Sequence, residues 1–322
     1  MGQRANLVIV RDGEWKLFYD HWCANRLDVE LFWGPELAVE FIEQRKHVED
    51  RFGWLDEVWC EGGAVLDEDT RVLTWFGGEE VAFDVPLRRA LFELMANQWP
   101  GWQLRWATGG IAELGACVGL PAERFLTERE PDGAFTLLTE YPEDNDTLLT
   151  VRQDGRTLVA QICGEVDGLA AGSGLLPQLL AFPRTASLRW RGDMPTGGVH
   201  IDVEERGLYY WLANPVCAIE RRVQAAWPGW TTECLQDRFE VHLGLARADV
   251  HLPDRPPREL YRSLLDTLRR CHAHERQNPA RELAATMGAS SINPWTEESR
   301  GSVGAPDRKL ELLHALEKKY CA

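Results

Sequence analysis

The sequence predicts an α+β protein: an internally duplicated antiparallel-sheet and helix unit, set about a pseudo-twofold axis, with a helical C-terminal extension. Three observations lead there. Trp99-Pro-Gly-Trp102 recurs letter for letter at Trp227-Pro-Gly-Trp230. Gly62-Gly-Ala-Val-Leu-Asp67, followed by Arg71 and Leu73, lines up with Gly197-Gly-Val-His-Ile-Asp202, Arg206 and Leu208. Val10-Arg-Asp-Gly13 resembles Val151-Arg-Gln-Asp-Gly155, each parting two apolar-rich segments as a hairpin turn does. The offset is 135 residues at the glycine pairs and 128 at the tryptophan motifs, so a loop after Trp75 is expected to be shorter in the second copy. The chain divides on this reading into a first repeat (1–122), an acidic linker (123–145), a second repeat (146–250) and a helical extension (251–322).

The elements follow in order. Leu7 to Val10 and Trp15 to Tyr19 read as a hairpin. Glu36 to Lys46 reads as a helix with Leu37 and Phe41 four apart on one face. Trp33-Gly-Pro35 and Leu176-Pro177 are matched as the starts of short helices. Glu57 to Cys60 and Arg71 to Phe76 are strand candidates around a turn at Gly62-Gly63. Asp84-Val-Pro86 opens an amphipathic helix carrying Leu87, Leu91 and Leu94, and Asn214-Pro215 opens its counterpart with Val216, Ile219 and Val223. Trp102 to Trp106 alternates large apolar residues and reads as a strand. Helices lie on one face of each sheet in this scheme.

Residues 123–146 hold eight acids and two arginines, with a short strand expected near Phe135-Thr-Leu-Leu138. Beyond Pro256-Pro257, Arg258 to Arg276 carries Leu260, Leu264, Leu268 and Cys271 along a helical stripe. A Ser-, Gly- and Pro-rich stretch at 285–307 reads as irregular. A last helix from Asp307 to Tyr320 presents Leu310, Leu313 and Leu316.

Composition limits the function classes. A 44% apolar fraction with 14 tryptophans describes a folded globular chain. No apolar run approaches the ~18 residues that span a bilayer, and the N-terminus leads into Leu7-Val-Ile-Val10 without a signal peptide's apolar core, so the expected location is the cytoplasm. Eight scattered cysteines without a close Cys-x-x-Cys pair read as thiols rather than disulfides. A formal charge of −16 opposes nucleic acid, and no membrane or cofactor is implied. The partner it suits is a protein with a basic surface.

Candidate chemistry is sparse. Asp20-His21-Trp22-Cys23 offers His21 as a base and Cys23 as a nucleophile, with Asp20 beside them. Cys271 and His274, three apart on a helix, supply two metal ligands where a structural zinc site needs four. Asp67 and Asp202 occupy equivalent places in the repeat and are the acids that two copies would share around a ligand. Trp102 and Trp230 act first as ordering residues and second as binding anchors. The expected function is therefore a protein-binding or regulatory one, such as inhibition of a basic effector. The alternatives are a hydrolase with a cleft between repeats and a component of an oligomeric assembly.

Overall fold

The computed structural model describes residues 2–127, 135–137, 146–276 and 306–321. It is a mixed α+β protein with two six-stranded sheets and a separate pair of strands. Two compact units divide the chain: Met1–Val81, Pro86–Trp106 and Arg255–Ala322 form the first, and Ala82–Val85 and Ala107–Asp254 the second.

In the first unit the strands are β1 (Ala5–Arg11), β2 (Glu14–Asp20), β3 (Lys46–Val48), β4 (Gly62–Asp67), β5 (Val72–Phe76) and β6 (Gln103–Trp106). They run in the order β3-β2-β1-β4-β5-β6. The hairpins β1–β2 and β4–β5 are antiparallel, the first of them as expected. The sheet as a whole is not: β1 runs parallel to β4 and β5 parallel to β6. Parallel neighbours need a long crossover, and each is joined by a segment that contains a helix, Pro35–Glu43 before β4 and Val85–Met95 before β6. Local alternation looks the same in either direction, so the sequence pattern does not reveal the difference.

Side chains alternate across this sheet. Leu7 and Ile9, Ala64 and Leu66, and Leu73 and Trp75 enter one core with the helical stripe Leu87, Leu91 and Leu94. Helices Pro257–Arg276 and Pro306–Tyr320 join the same core through Leu260, Leu264, Leu268, Leu313 and Leu316. On the opposite face the buried Asn6 tethers a loop, donating from Nδ2 to Gly53 O (2.9 Å) and accepting at Oδ1 from Leu55 N (2.7 Å).

Several local expectations change. Glu57–Cys60 is a turn rather than a strand, because Asp56 Oδ1 accepts the backbone N–H of both Val58 and Trp59 at 3.0 Å. Gly62-Gly63 opens β4 rather than turning, and a Cβ at Gly62 would lie 2.9 Å from that of Ala24. The helix expected to Lys46 ends at Glu43, and Lys46 starts β3.

The second unit has β7 (Thr136–Leu137), β8 (Asp146–Gln153), β9 (Arg156–Cys163), β11 (Gly197–Asp202), β12 (Gly207–Leu212) and β13 (Thr231–Cys234) in the order β13-β12-β11-β8-β9-β7. Strands β10 (Ser187–Arg189) and β14 (Asp249–His251) form a separate parallel pair. Again two antiparallel hairpins, β8–β9 and β11–β12, are joined by parallel pairing of β8 with β11, and β13 runs parallel to β12. Leu149, Val151, Val199, Ile201, Leu208 and Tyr210 face a core completed by Ile219, Val223 and Trp227. Helix Phe239–Ala246 covers the opposite face through His242, so helices lie on both faces of this sheet rather than one. Asn214-Pro215 does not begin a helix; the helix starts at Ile219, after Ala218 in the left-handed region. Most of 123–145 and nearly all of 285–307 lie outside the described residues.

The two tryptophan motifs fold alike. In each, the second tryptophan's N–H returns to the first one's carbonyl, Trp102 to Trp99 at 3.1 Å and Trp230 to Trp227 at 3.2 Å. Proline presets the turn, and glycine takes the positive φ its next position demands, 77° at Gly101 and 79° at Gly229. The buried indoles then donate to a loop carbonyl: Trp99 Nε1 to Leu31 O at 3.0 Å, and Trp227 Nε1 to Leu169 O at 2.8 Å.

Candidate functional site

Strand β2 ends at Asp20, and the next three residues separate. Asp20 accepts from Trp22 N (2.7 Å) and from Arg45 Nη1 (3.1 Å); Arg45 is itself buried, donating from Nε to Phe41 O and lying over the Phe41 ring. His21 Nδ1 meets the Tyr19 hydroxyl at 2.8 Å. Cys23 enters the core, where burial and then the Asp20 carboxylate push its thiol well above its usual range. Such a thiol stays protonated near neutral pH and is a weak nucleophile.

The other sequence candidates lie elsewhere. Asp67 and Asp202 each cap the tip of their own hairpin, Asp67 Oδ1 accepting Thr70 N (2.9 Å) and Asp202 Oδ1 accepting Glu205 N (3.1 Å). Asp202 also pairs with Arg152 at 3.2 Å. Trp102 packs edge-on against Trp99 and Trp230 against Trp227, with ring centroids 5.1 and 5.4 Å apart; both outer indoles are partly buried against their cores. Cys271 packs beside the first core, while the side chain of His274 lies outside the described residues. Among the described residues no group of three or more His, Cys, Asp or Glu is placed to hold a metal ion.

A different surface of the first unit stands out. Trp22 is 56% exposed, Trp59 51% and Val58 46%. Folded chains usually bury most of an indole, because each carries a large apolar area. These two are joined by a polar relay. Trp22 stacks edge-on against His21 (4.7 Å between centroids), His21 meets Tyr19, and the Tyr19 hydroxyl interacts with Arg4. The Arg4 guanidinium then lies 4.5 Å over the Trp59 ring. The backbone fixes the group from below: Gln3 N donates to His21 O, and Arg4 N donates to Glu61 Oε2 at 2.7 Å. Acids are next to its members in the chain, Asp20 before His21 and Asp56 and Glu57 before Val58, while Glu61 contacts Arg4. The result is an aromatic surface with acids close to it, held at its base by backbone hydrogen bonds.

Neither exposed indole stands out in the sequence. Trp22 figured only as a neighbour of His21, and Trp59 as part of a strand. The available signal was Asp56-Glu-Val-Trp59, an aromatic residue flanked by acids and placed by an Asx turn.

The second unit contains a polar chain of another kind. Thr150 Oγ1 lies 2.7 Å from His200 Nδ1 and 2.8 Å from His242 Nε2, and Trp211 Nε1 donates to His242 Nδ1 at 3.1 Å. Burial lowers the histidine pKa values to about 4 at His200 and about 3 at His242, so both are neutral at pH 7. Indole can only donate, which fixes the tautomer of His242. His242 carries its proton on Nε2 and donates to Thr150, which leaves the Thr150 hydroxyl proton free for His200 Nδ1. Gly198 makes room for this, since a Cβ there would come within 2.6 Å of His242 Nδ1. Both rings are almost wholly buried, so the chain binds helix to sheet rather than serving as an accessible base.

No helix among the described residues is long and apolar enough to cross a membrane. Comparisons with protein-family models, with curated proteins and with solved structures find no match to this chain.

Proposed function

We propose that the chain is a protein-binding module whose first unit presents Trp22 and Trp59 to a partner with a basic surface. The single observation that carries this reading is the pair of half-exposed indoles linked through His21, Tyr19 and Arg4. Exposed tryptophans on a fixed base are strong interface anchors, because little side-chain freedom remains to be lost on binding. The nearby acids and the net charge of −16 favour a cationic partner and speed its approach. Inhibition of a basic effector is one role such a surface suits.

The reading includes duplication of an ancestral unit. Its support is the shared order and direction of five strands in each sheet, the matched tryptophan turns, and hairpin tips capped by Asp67 and Asp202. After duplication the units need not have kept one role, and only the first carries the Trp22–Trp59 surface.

The test is affinity capture from a native lysate with the full chain and with a Trp22→Ala/Trp59→Ala variant. The expected result is a stoichiometric partner rich in Lys and Arg, retained by the wild type, weakened by salt and lost with the variant, whose melting curve is unchanged. Equal capture by both proteins would overturn the proposal. A chain that instead forms a defined oligomer through this surface would favour the assembly reading.

A further inference from the structure

Strands β6 and β13 each end a sheet, with a neighbour on one side only. The bonds to that neighbour fix which way each backbone faces. Gln103 N donates to Arg71 O at 2.9 Å, and Thr231 N donates to Arg206 O at 2.9 Å. Backbone groups alternate sides along a strand, so Leu104 and Trp106 turn theirs away from β5, and Thr232 and Cys234 turn theirs away from β12. No hydrogen bond among the described residues engages these outward groups. An edge of this kind is a template for another strand.

The two edges are alike in build and opposite in charge. Each is four residues long and exposes its first and third side chains, Gln103 and Arg105 on β6, Thr231 and Glu233 on β13. The intervening residues lean to the cores, Leu104 and Trp106 to the first and Cys234 to the second. Arg105 Nη2 donates to Gln103 Oε1 at 2.8 Å and meets no carboxylate among the described residues. Glu233 makes no ion pair or hydrogen bond among them either.

We infer that β6 of one copy of the chain pairs antiparallel with β13 of a second copy, with Arg105 opposite Glu233. This register sets Leu104 against Cys234 and Trp106 against Thr232, so the outward groups of both edges face one another and bond in pairs. Arg105 and Glu233 fall between those pairs, in the position without backbone bonds where side chains come closest. The residues that lean to the cores share the other face of the joined sheet. Like edges do not match. In the equivalent register β6 against β6 sets Arg105 on Arg105, and β13 against β13 sets Glu233 on Glu233; like charges directly opposite repel. Each copy therefore uses both edges differently, a head-to-tail contact that closes a ring or grows a chain. The net charge of −16 opposes self-association, but at about 0.15 M salt the screening length of about 8 Å damps that repulsion and spares a pair in contact. The inference does not depend on the Trp22–Trp59 surface.

The test is sedimentation velocity of the full chain over a range of concentrations at that salt. The wild type is expected to associate with a Kd on the order of 100 μM, as suits a short edge contact. Arg105→Glu and Glu233→Lys each put like charges opposite and should weaken association about tenfold. Mixing these two variants, or combining them in one chain, restores opposite charges and should restore association. Thr232→Pro removes one outward N–H, leaves the bonds to β12 in place, and should abolish association with an unchanged melting curve. Trp22→Ala/Trp59→Ala should associate as the wild type does. A wild type that stays monomeric, undiminished association in either charge variant or in Thr232→Pro, or no rescue by the mixture and the double variant would each overturn the inference. Loss of association in the tryptophan variant would overturn it too, by placing the contact on the other surface.

Discussion

Trp211 donates its indole N–H to His242 Nδ1 at 3.1 Å, and that bond places the His242 proton on Nε2, toward Thr150. The first unit holds Val8, Val65 and Phe76 where β8, β11 and β12 carry Thr150, His200 and Trp211, because Val8 pairs with Val65 in the register in which Thr150 pairs with His200. An apolar version of this layer therefore exists within the same chain.

Removing one member should harm the second unit more than replacing all of them. His242→Ala strands the Trp211 donor and a Thr150 bond in a dry site and leaves a void, a cost of about 3–5 kcal/mol. Thr150→Val/His200→Val/Trp211→Phe/His242→Leu removes donors and acceptors together and should cost less than the single change. Urea unfolding followed by circular dichroism compares them. A His242→Ala penalty under about 1 kcal/mol would show that the chain contributes little.

Acid should weaken this unit selectively. Burial is the main cause of both lowered pKa values; Asp202 partly offsets it at His200, while Arg152 adds to it there and His200 adds to it at His242. The unfolded histidines bind protons below about pH 6.5, whereas the folded ones wait until about 4 and 3. Between those limits the unfolded state holds more protons, so stability falls as pH falls, by up to about 1.4 kcal/mol per pH unit for each histidine. Unfolding at pH 7.5, 6.0 and 5.0 should show a steeper loss in the wild type than in the apolar quadruple variant. Parallel slopes would remove the histidines from the account.

Two glycines occupy the same strained niche, one in each unit. Gly34 has φ 101° and a Cβ there would sit 2.7 Å from Gln98 O; Gly172 has φ 98° and the same atom would sit 2.8 Å from Ala226 O. Both carbonyls belong to the residue before the first tryptophan of a Trp-Pro-Gly-Trp turn. Gly34→Ala and Gly172→Ala should each cost about 2–4 kcal/mol, since strain and collision add. Gly13→Ala is the control: its φ is 76° with nothing within 4 Å, so strain alone should cost about 1 kcal/mol. Equal penalties at all three would mean that the carbonyl contacts are immaterial.

These pairs show what the sequence discloses. Trp-Pro-Gly-Trp is legible because its turn is local: proline, glycine and two buried aromatics act within four residues. The partner of Gly34 is not legible. Trp33-Gly-Pro35 and Leu176-Pro177 each open a short helix as expected, Pro35–Glu43 and Leu176–Ala181, but only the contacts to Gln98 and Ala226 match Gly34 with Gly172. Parallel pairing of β1 with β4 escaped for the same reason, being a choice made across more than fifty intervening residues. The Trp22–Trp59 surface depends on which indoles the core leaves out, and that is decided by tertiary packing. Near His21 the tetrapeptide suggested a reaction; the fold sends Cys23 inward and leaves Trp22 outside.

Asp28 supplies a stability test of opposite sign in the first unit. Its carboxyl is pushed up to about 7 by burial, with Glu80 adding to the shift while hydrogen bonds from the Val29 and Asp28 backbone oppose it. A folded pKa above the unfolded value of 3.8 means the folded chain holds the extra proton between those limits. The stabilisation is complete below pH 3.8 and is lost as pH rises through about 7. Asp28→Asn keeps an oxygen for Val29 N, which lies 3.0 Å from Oδ1, and never ionises. It should therefore raise stability more at pH 8 than at pH 5, where only part of the wild type's loss has occurred, with a difference of about 1–2 kcal/mol. Urea midpoints at the two pH values measure the difference. A variant that loses stability equally at both would show that the Asp28 charge, not its burial, is what the loop beside Gly78 requires.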